Sequence, residues 1–254
     1  MEILRQGAGQ LGLQLSALHL ERFQILYEEL CSWNERLNLT AITGYQDVQT
    51  RHLLDSLSCL LAFPTGQQTD DIPDAIPVQR QGHSLRCLDV GTGAGFPGLP
   101  LRILLPDLRL TLLESVGKKV TWLQHIVRRL NLSDVEIIQG RAEEIGRDAA
   151  HRERYDVVVA RAVAPLNILA EFCLPFCRTG GRFIAPKGED AVREAGEAEA
   201  AIRLLGGRLV SVKQVPLPDM LADHHLVVVD KFEQTPERYP RRTGIPAKRP
   251  LTAD

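Results

Sequence analysis

Apolar residues in the first part of the chain recur at helical spacing. Between Ser16 and Asn38 they lie three or four positions apart, at Leu20, Phe23, Tyr27, Leu30, Trp33 and Leu37. This spacing predicts an amphipathic helix, and Ser16 is a suitable N-cap for it. A second stripe, mostly leucine, predicts another helix from Gln46 to Phe63. We expect these two helices to form an N-terminal cap over residues 1–63.

The pattern changes after a stretch rich in Pro, Gln, Asp and Gly, residues 64–84, which we interpret as a linker. Short apolar runs then alternate with amphipathic segments. The predicted strands are "LRCLDV", "LRLTLLES", "VEIIQG", "YDVVVARA", "RFIAPKG", "GRLVSVKQVPL" and "HHLVVVDKF". Five strand–helix units followed by two strands predict an α/β fold, a Rossmann-like seven-stranded sheet over residues 85–233. The last two strands are expected to form a hairpin, with one strand antiparallel.

Two details of this pattern are specific enough to be tested. The segment "APLNILAEFCLPFC" is predicted as one helix, followed by a turn at Gly180–Gly181 before the next strand. Residues 234–254 form a basic tail, with Arg238, Arg241, Arg242, Lys248 and Arg249. The tail is interpreted either as an RNA-backbone grip or as a disordered end. Tyr239 among these arginines is a weak candidate for stacking on a base.

Composition narrows the class of protein. The chain has 254 residues and a formal net charge of −2, so nucleic-acid binding would need a local basic patch. No long apolar window is free of charge, and the first residues lack a secretory pattern, so we expect no membrane association. The five cysteines form no C-x-x-C pair, and the seven histidines show no zinc spacing. This usage is typical of a cytoplasmic protein with reduced thiols and no metal.

The glycine-rich stretch "CLDVGTGAGFPG" is the first candidate for chemistry. With the strand ending at Val90, a dinucleotide fingerprint would need a small residue at position 96, where the chain has Phe96. The glycine loop of S-adenosylmethionine (SAM) enzymes needs an acid two residues before its first glycine, and Asp89 is there. Glycines follow at 91, 93 and 95. The loop therefore favours SAM, while a dinucleotide site and a plain tight turn stay open.

Acidic residues at later strand ends support a nucleoside ligand. Glu114 ends the second strand, where a carboxylate could accept hydrogen bonds from both ribose hydroxyls of either NAD or SAM. Arg141, Ala142 and Glu143 follow the third strand, where an adenine would lie. Glu114 indicates a nucleoside without choosing between the two cofactors.

No side chain is predicted to act as a general base. After the fourth strand stands "ARAVAPLN", in place of the Asn/Asp-Pro-Pro-aromatic motif of many amine methyltransferases. Cys173 and Cys177 lie four apart in an apolar segment and are interpreted as core residues. A ring nitrogen with a free lone pair, such as guanine N7, needs no deprotonation, so alignment would supply most of the catalysis. The catalytic residues are left unassigned.

Several motifs together resemble one known family. They are "WNERLNLTAIT", "RHLLDSL", "LDVGTGAGFPGLPL", "LLESVGKKVTWL", "GRAEE", "VVARAVAPLN", "APKG", "HHLVVVDK" and "YPRRTGIPAKRPL", and they cover most of residues 33–250 in order. The chain resembles the 16S ribosomal RNA guanine-N7 methyltransferases, the RNA small-subunit methyltransferase G family, also called glucose-inhibited division protein B. "RHLLDSL" and the "GFPG" form of the loop are its specific features.

The resemblance implies a SAM-dependent methyltransferase that methylates N7 of a guanine in bacterial 16S rRNA. Its partner would be 16S rRNA or the small ribosomal subunit, and the enzyme would be a monomer. The alternative is a methyltransferase of another RNA or a protein. The cofactor contacts carried over from the family fall on Gly91, Phe96, Glu114, Ser115, Val116, Ala142, Glu143 and Arg161.

Substrate contacts are placed on Arg51, His52 and Lys187. Arg51 and Asp55 lie at i,i+4 on one helix, so they could also form an ordinary surface pair. The chain departs from the family where His224 stands in place of a common Arg, which puts one RNA contact in doubt. The stretch 64–84 also looks long for the family.

Overall fold

A computed structural model describes residues 1–64, 84–217 and 223–252. The linker predicted for residues 64–84 lies almost wholly outside the described residues. Within those residues, no helix has both the length and the hydropathy needed to cross a membrane.

The N-terminal part consists of three helical segments. Helix α1 is Glu2–Gln10. The sequence pattern did not predict this short helix, because Gly7 and Gly9 interrupt its apolar spacing. Helix α2 is Ala17–Leu37 and confirms the first predicted helix. The Ser16 hydroxyl accepts the backbone N–H of His19, and the His19 ring accepts the backbone N–H of Ser16, so the two residues form a reciprocal N-terminal cap.

The second predicted helix is also present, with an irregular centre. It begins as α3, Tyr45–Val48, widens into a π-helix over Gln49–Leu54, returns to the α-form as α4, Asp55–Ser58, and tightens into a 3₁₀-helix over Cys59–Ala62. π-helical turns are rare and occur frequently at functional sites. Here the π-helix includes Arg51 and His52, two of the predicted substrate residues.

The remaining part is a seven-stranded sheet, as predicted. Its strands are β1 Arg86–Val90, β2 Arg109–Glu114, β3 Val135–Gln139, β4 Tyr155–Val159, β5 Cys177–Lys187, β6 Gly207–Gln214 and β7 His225–Lys231. The strand order is β3-β2-β1-β4-β5-β7-β6. The first five strands run parallel, and β7 lies antiparallel between β5 and β6. The predicted single antiparallel strand is thus confirmed.

Helices connect the strands and cover the sheet. They are α5 Gly98–Leu104, α6 Gly117–Arg129, α7 Ala142–Ile145, α8 Leu166–Cys173, α9 Ala191–Leu204 and α10 Ile245–Lys248. Because β1 is flanked by β2 and β4, the chain order reverses between β1 and β4. Open α/β sheets bind their ligands at such a reversal, beyond the carboxyl ends of the strands.

One local prediction is wrong. The segment predicted as a single helix ends at Cys173, and β5 begins at Cys177, so Gly180–Gly181 lies inside a strand instead of at a turn before it. A Cβ on Gly181 would lie 2.9 Å from the carbonyl oxygen of Tyr155, so only glycine lets β4 and β5 approach here. The pairing register between these strands also shifts at this point, between Tyr155 and Val157.

Two buried clusters cover the two sides of the sheet. One joins the N-terminal helices to α5 and α6, and the other joins α8, α9 and Tyr239 of the tail. The first cluster reaches the glycine loop through Trp122, which is fully buried. Its indole Nε1–H donates to the carbonyl oxygen of Ala94 at 3.0 Å, and its ring lies 5.7 Å from that of Trp33. The N-terminal helices therefore contact the glycine loop through Trp122.

We expect Trp122→Phe to lower the free energy of unfolding by about 1–3 kcal/mol, because the buried carbonyl of Ala94 loses its donor. Chemical denaturation measures the effect. Trp33→Phe is the matched control, since it makes the same change in a ring that packs on Trp122. Equal losses in the two variants would show that volume, not the hydrogen bond, matters at Trp122.

Candidate active site

A cavity of about 370 Å³ lies at the carboxyl ends of the parallel strands. Its lining comes from the ends of β1 and β2, the turns after β3 and β4, helix α8 and the tail: Val90, Gly91, Leu113, Ser115, Gly140, Arg141, Ala142, Glu143, Val163, Ala164, Ile168, Phe172, Thr243, Gly244 and Ala247. Pockets for small organic ligands typically enclose about 300–1,000 Å³. Four of the eight predicted cofactor residues belong to this lining: Gly91, Ser115, Ala142 and Glu143.

Asp89 holds the glycine loop in shape. Its Oδ2 accepts the Thr92 hydroxyl at 2.6 Å and the backbone N–H of Gly98 at 2.8 Å, so one carboxylate joins both ends of the loop. Asp89 is fully buried, and its Oδ1 has no hydrogen-bond partner among the described residues. Burial raises the pKa of the Asp89 carboxyl to about 6, even though both hydrogen bonds favour the charged form.

Glu114 connects the same loop to β2. Its Oε2 accepts the backbone N–H of Gly93 at 2.9 Å, and its Oε1 accepts that of Val116 at 2.8 Å. An ionised carboxylate offers about four acceptor positions, so each oxygen keeps one position for a further donor. Glu114 thus orders the loop and retains the capacity to bind hydroxyls. Val116 itself is exposed and begins the turn into α6.

Gly91 and Gly93 differ in the space around their Cα atoms. Both have positive φ, +67° at Gly91 and +62° at Gly93. A Cβ on Gly91 would come within 2.8 Å of Val163 Cγ2, so this glycine lets the turn after β4 pack on the loop. A Cβ on Gly93 would meet no atom nearer than 3.9 Å. The loop is therefore packed at its first glycine and open at its second.

A second set of side chains joins the N-terminal helices to the end of β4. Asp55 is buried and forms an ion pair with Arg161, the residue that follows β4 by two positions. Its other oxygen, Oδ1, lies 3.0 Å from His224 Nδ1, just before β7. Burial raises the pKa of the Asp55 carboxyl, but the Arg161 charge and the His224 hydrogen bond outweigh burial, and the pKa lies below its ordinary value.

Arg161 also contacts the glycine loop through a cation–π contact with Phe96. Its guanidinium carbon lies 5.4 Å from the centre of the Phe96 ring, within cation–π range. His52 stacks on Phe96 with 4.6 Å between ring centres. Its Nε2 lies 2.8 Å from the Thr40 hydroxyl, and its Nδ1 lies 3.3 Å from Arg161 Nη2. Phe96 and Arg161 therefore belong to this cluster, next to the residues that line the cavity.

The three predicted substrate residues have different surroundings. Arg51 is exposed, whereas His52 is 8 % exposed and stacked on Phe96. Burial and the nearby Arg161 charge lower the pKa of His52 to about 4, so its ring is neutral at pH 7. Lys187 Nζ donates to Glu194 Oε2 and to the carbonyl oxygen of Ala164, each at 2.8 Å. These contacts leave Arg51 as the accessible cation of the three.

Three interpretations of individual side chains need correction. Asp55 forms no surface pair with Arg51: it is buried, and its cationic partner is Arg161. His224 is buried between Asp55 and Ser58. The residue at this position therefore packs inside the cluster and is not placed as an RNA contact. Tyr239 is only 7 % exposed and packs in the core, where it cannot stack on an RNA base.

Sequence reasoning missed part of the cavity lining. Val163 and Ala164 lie in the turn after β4, and their position after a strand of the reversal could have indicated them. Thr243, Gly244 and Ala247 lie about a hundred positions after Glu143, and no periodicity connects them to it. Among the described residues, no cluster of three or more His, Cys, Asp or Glu has the arrangement of a metal site.

We expect Asp55→Asn to lower the free energy of unfolding by about 3–5 kcal/mol, because Arg161 loses its buried counter-charge. Urea denaturation measures the loss. Arg51→Ala is the control, since it removes an exposed cation on the same helix and should change stability by less than about 0.5 kcal/mol. If Arg51→Ala lost as much stability as Asp55→Asn, the important partner of Asp55 would be Arg51 and not Arg161.

The raised pKa of Asp89 predicts an unusual pH dependence. In the folded protein this carboxyl holds its proton up to about pH 6, whereas the unfolded chain releases it near pH 3.8. Between these values the folded state binds more protons, so stability falls as pH rises. Relative to Asp89→Asn, the wild-type free energy of unfolding should decrease by about 2–3 kcal/mol from pH 4 to pH 7. Denaturation of both proteins across this range tests it, and a constant difference would contradict it.

Comparison with known proteins identifies the family. The family model for "rRNA small subunit methyltransferase G" matches residues 19–226. The "Ribosomal RNA small subunit methyltransferase G" of Roseiflexus castenholzii is 48% identical over 251 residues, 99% of this chain and 100% of that protein. The protein of the same name from Roseiflexus sp. strain RS-1 is 46% identical over the same shares of both chains.

A solved structure is similar at lower identity. It is a mutant of the 16S rRNA (adenine(1408)-N(1))-methyltransferase from Catenulisporales acidiphilia, with 13% identity and a TM-score of 0.49, and the match covers 61% of this chain and 88% of that one. The family model and the relatives matched over their full length indicate the same family as the motifs that surround the cavity. The chain belongs to the rRNA small subunit methyltransferase G family.

Proposed function

We propose that the protein transfers the methyl group of SAM to N7 of a guanine in 16S rRNA, acting as a monomer in the cytoplasm. The observation that carries this proposal is the cavity at the carboxyl ends of the parallel strands, in a chain that belongs to a small-subunit rRNA methyltransferase family. A nucleoside cofactor fits the chemistry of the lining. The turn after β1 supplies glycine backbone, and the turn after β3 supplies the Glu143 carboxylate.

The residues around the cavity support distinct parts of such a cofactor. Glu114 keeps a free acceptor position on each oxygen, which suits the two hydroxyls of a ribose. Ala142 and Glu143 lie after β3, line the same cavity as Ser115, and suit an adenine. The buried Asp89 Oδ1 has no partner among the described residues and leaves an acceptor near the loop. These acceptor groups thus fit SAM, whose sulfonium supplies an electrophilic methyl group when it is bound.

Positioning is the main catalytic contribution that these side chains can make. Guanine N7 carries a free lone pair, so no side chain has to remove a proton before attack. Holding the two reactants in line can by itself supply about 7–11 kcal/mol of the barrier reduction. Arg161 is well suited to border the incoming base, because the Asp55 ion pair and the Phe96 ring fix its guanidinium. We propose Arg51 as a phosphate contact, since it is exposed on the π-helix.

The chemical test maps N7-methylguanine directly. Small subunits from a bacterium lacking its own enzyme of this family are incubated with SAM and the protein. Borohydride reduction followed by aniline then breaks the 16S rRNA at N7-methylguanine. We expect one new scission with the wild-type protein. An unchanged scission pattern would overturn the substrate assignment, and methyl label in another RNA or in a protein would identify the alternative.

Glu114→Ala tests the proposed ribose contact. We expect at least tenfold weaker SAM binding by calorimetry and a matching loss of scission, because the variant lacks both carboxylate oxygens. Glu28→Ala is the control, since it removes an exposed glutamate from α2, remote in sequence from the cavity lining. Melting curves verify that each variant is folded. Unchanged SAM affinity in Glu114→Ala would contradict the ribose assignment.

A further inference from the structure

The described part of the basic tail packs on the rest of the protein: Tyr239 is buried and Leu251 is half-buried against the second core cluster. Its first part is held by two charged side chains, the buried Lys231 and the half-buried Arg152. Lys231 Nζ donates to the Thr235 hydroxyl at 2.6 Å, and Arg152 Nη2 donates to the Thr235 carbonyl at 2.6 Å. Arg152 Nη1 also donates to the carbonyl oxygen of Tyr239 at 2.8 Å. These contacts direct the chain toward the carboxyl end of the sheet.

The next contact is an ion pair in the interior. Glu171 is fully buried on α8, and its two oxygens receive the backbone N–H of Arg241 at 2.7 Å and Arg241 Nη2 at 2.6 Å. A buried carboxylate without a counter-charge is strongly destabilising, so α8 needs this arginine. The same helix contributes Ile168 and Phe172 to the cavity lining. Arg241 therefore holds the tail against a helix that is itself a cavity wall.

Beyond this anchor the tail reaches the cavity. Thr243, Gly244 and Ala247 are among the lining residues. The backbone N–H of Gly244 donates to Glu143 Oε1 at 3.0 Å, and the Thr243 hydroxyl donates to Glu144 Oε1 at 3.0 Å. Glu143 is buried, so the Gly244 N–H limits how its carboxylate is oriented. One of its oxygens is thereby occupied by the tail, while acceptor positions remain for a ligand.

We propose that residues 241–247 are part of the cofactor-binding site. They form one wall of the cavity and orient Glu143 through the Gly244 N–H, and Arg241 is the positioning residue that anchors the wall. This inference rests on the proposed function, because the ligand concerned is SAM. It also divides the tail into two parts. Arg241 points inward, whereas Arg238, Arg242, Lys248 and Arg249 are exposed.

Adjacent arginines provide a matched test. Arg241→Ala and Arg242→Ala remove the same side chain and the same charge one position apart. We expect SAM binding, measured by calorimetry, to weaken at least tenfold in Arg241→Ala and less than twofold in Arg242→Ala. In turnover assays on small subunits, Arg241→Ala should raise the KM for SAM and leave the KM for the subunit unchanged. A purely structural defect would lower kcat without this split.

A second variant covers the case in which Arg241→Ala does not fold. Gly244 has a φ of +80°, and a Cβ there would meet no atom within 4 Å. Gly244→Ala therefore strains the backbone at the wall without a clash, and we expect several-fold weaker SAM binding with little change in melting temperature. Wild-type affinity in Gly244→Ala and in any folded Arg241→Ala would overturn the inference, as would equal losses in Arg241→Ala and Arg242→Ala. A wild-type protein that does not bind SAM would instead overturn the proposed function.

Discussion

The buried carboxylate of Asp55 joins three parts of the chain that are distant in sequence. It pairs with Arg161 after β4 and with His224 before β7, while itself lying on the helical segment of the N-terminal part. A buried charge of this kind is tolerated only when its partners are fixed in place. Because Arg161 also lies over the Phe96 ring, the same ion pair connects the glycine loop to the N-terminal helices.

Three carboxylates around the cavity organise the rest of the site by binding backbone N–H groups. Asp89 joins the two ends of the glycine loop, Glu114 holds its middle, and Glu143 holds the tail. Each therefore orders a segment of main chain at the cavity. Ordered main chain of this kind suits a reaction that depends on alignment, because it fixes the groups that would position the two reactants.

The N-terminal helices are more than a cover on the sheet. Trp122 connects α2 to the loop carbonyl of Ala94, and His52 supports Phe96 from the π-helix. The tail has the corresponding role on the other side of the cavity, where Arg241 and Glu171 attach it to α8. Both ends of the described chain thus contribute to a site whose central residues come from the turns after β1 to β4.

Hydrophobic periodicity determined most of the fold. It indicated α2, the second helical segment, all seven strands and the hairpin, because each of these elements depends on local spacing of apolar residues. The resemblance to the family, carried over onto the turns after the first three strands, also indicated Gly91, Ser115, Ala142 and Glu143, which line the cavity. Only the tertiary structure decided the partner of Asp55, the burial of His52 and His224, and the position of the tail. Those features depend on contacts between residues up to about a hundred and seventy positions apart, and local patterning carries no information about such contacts.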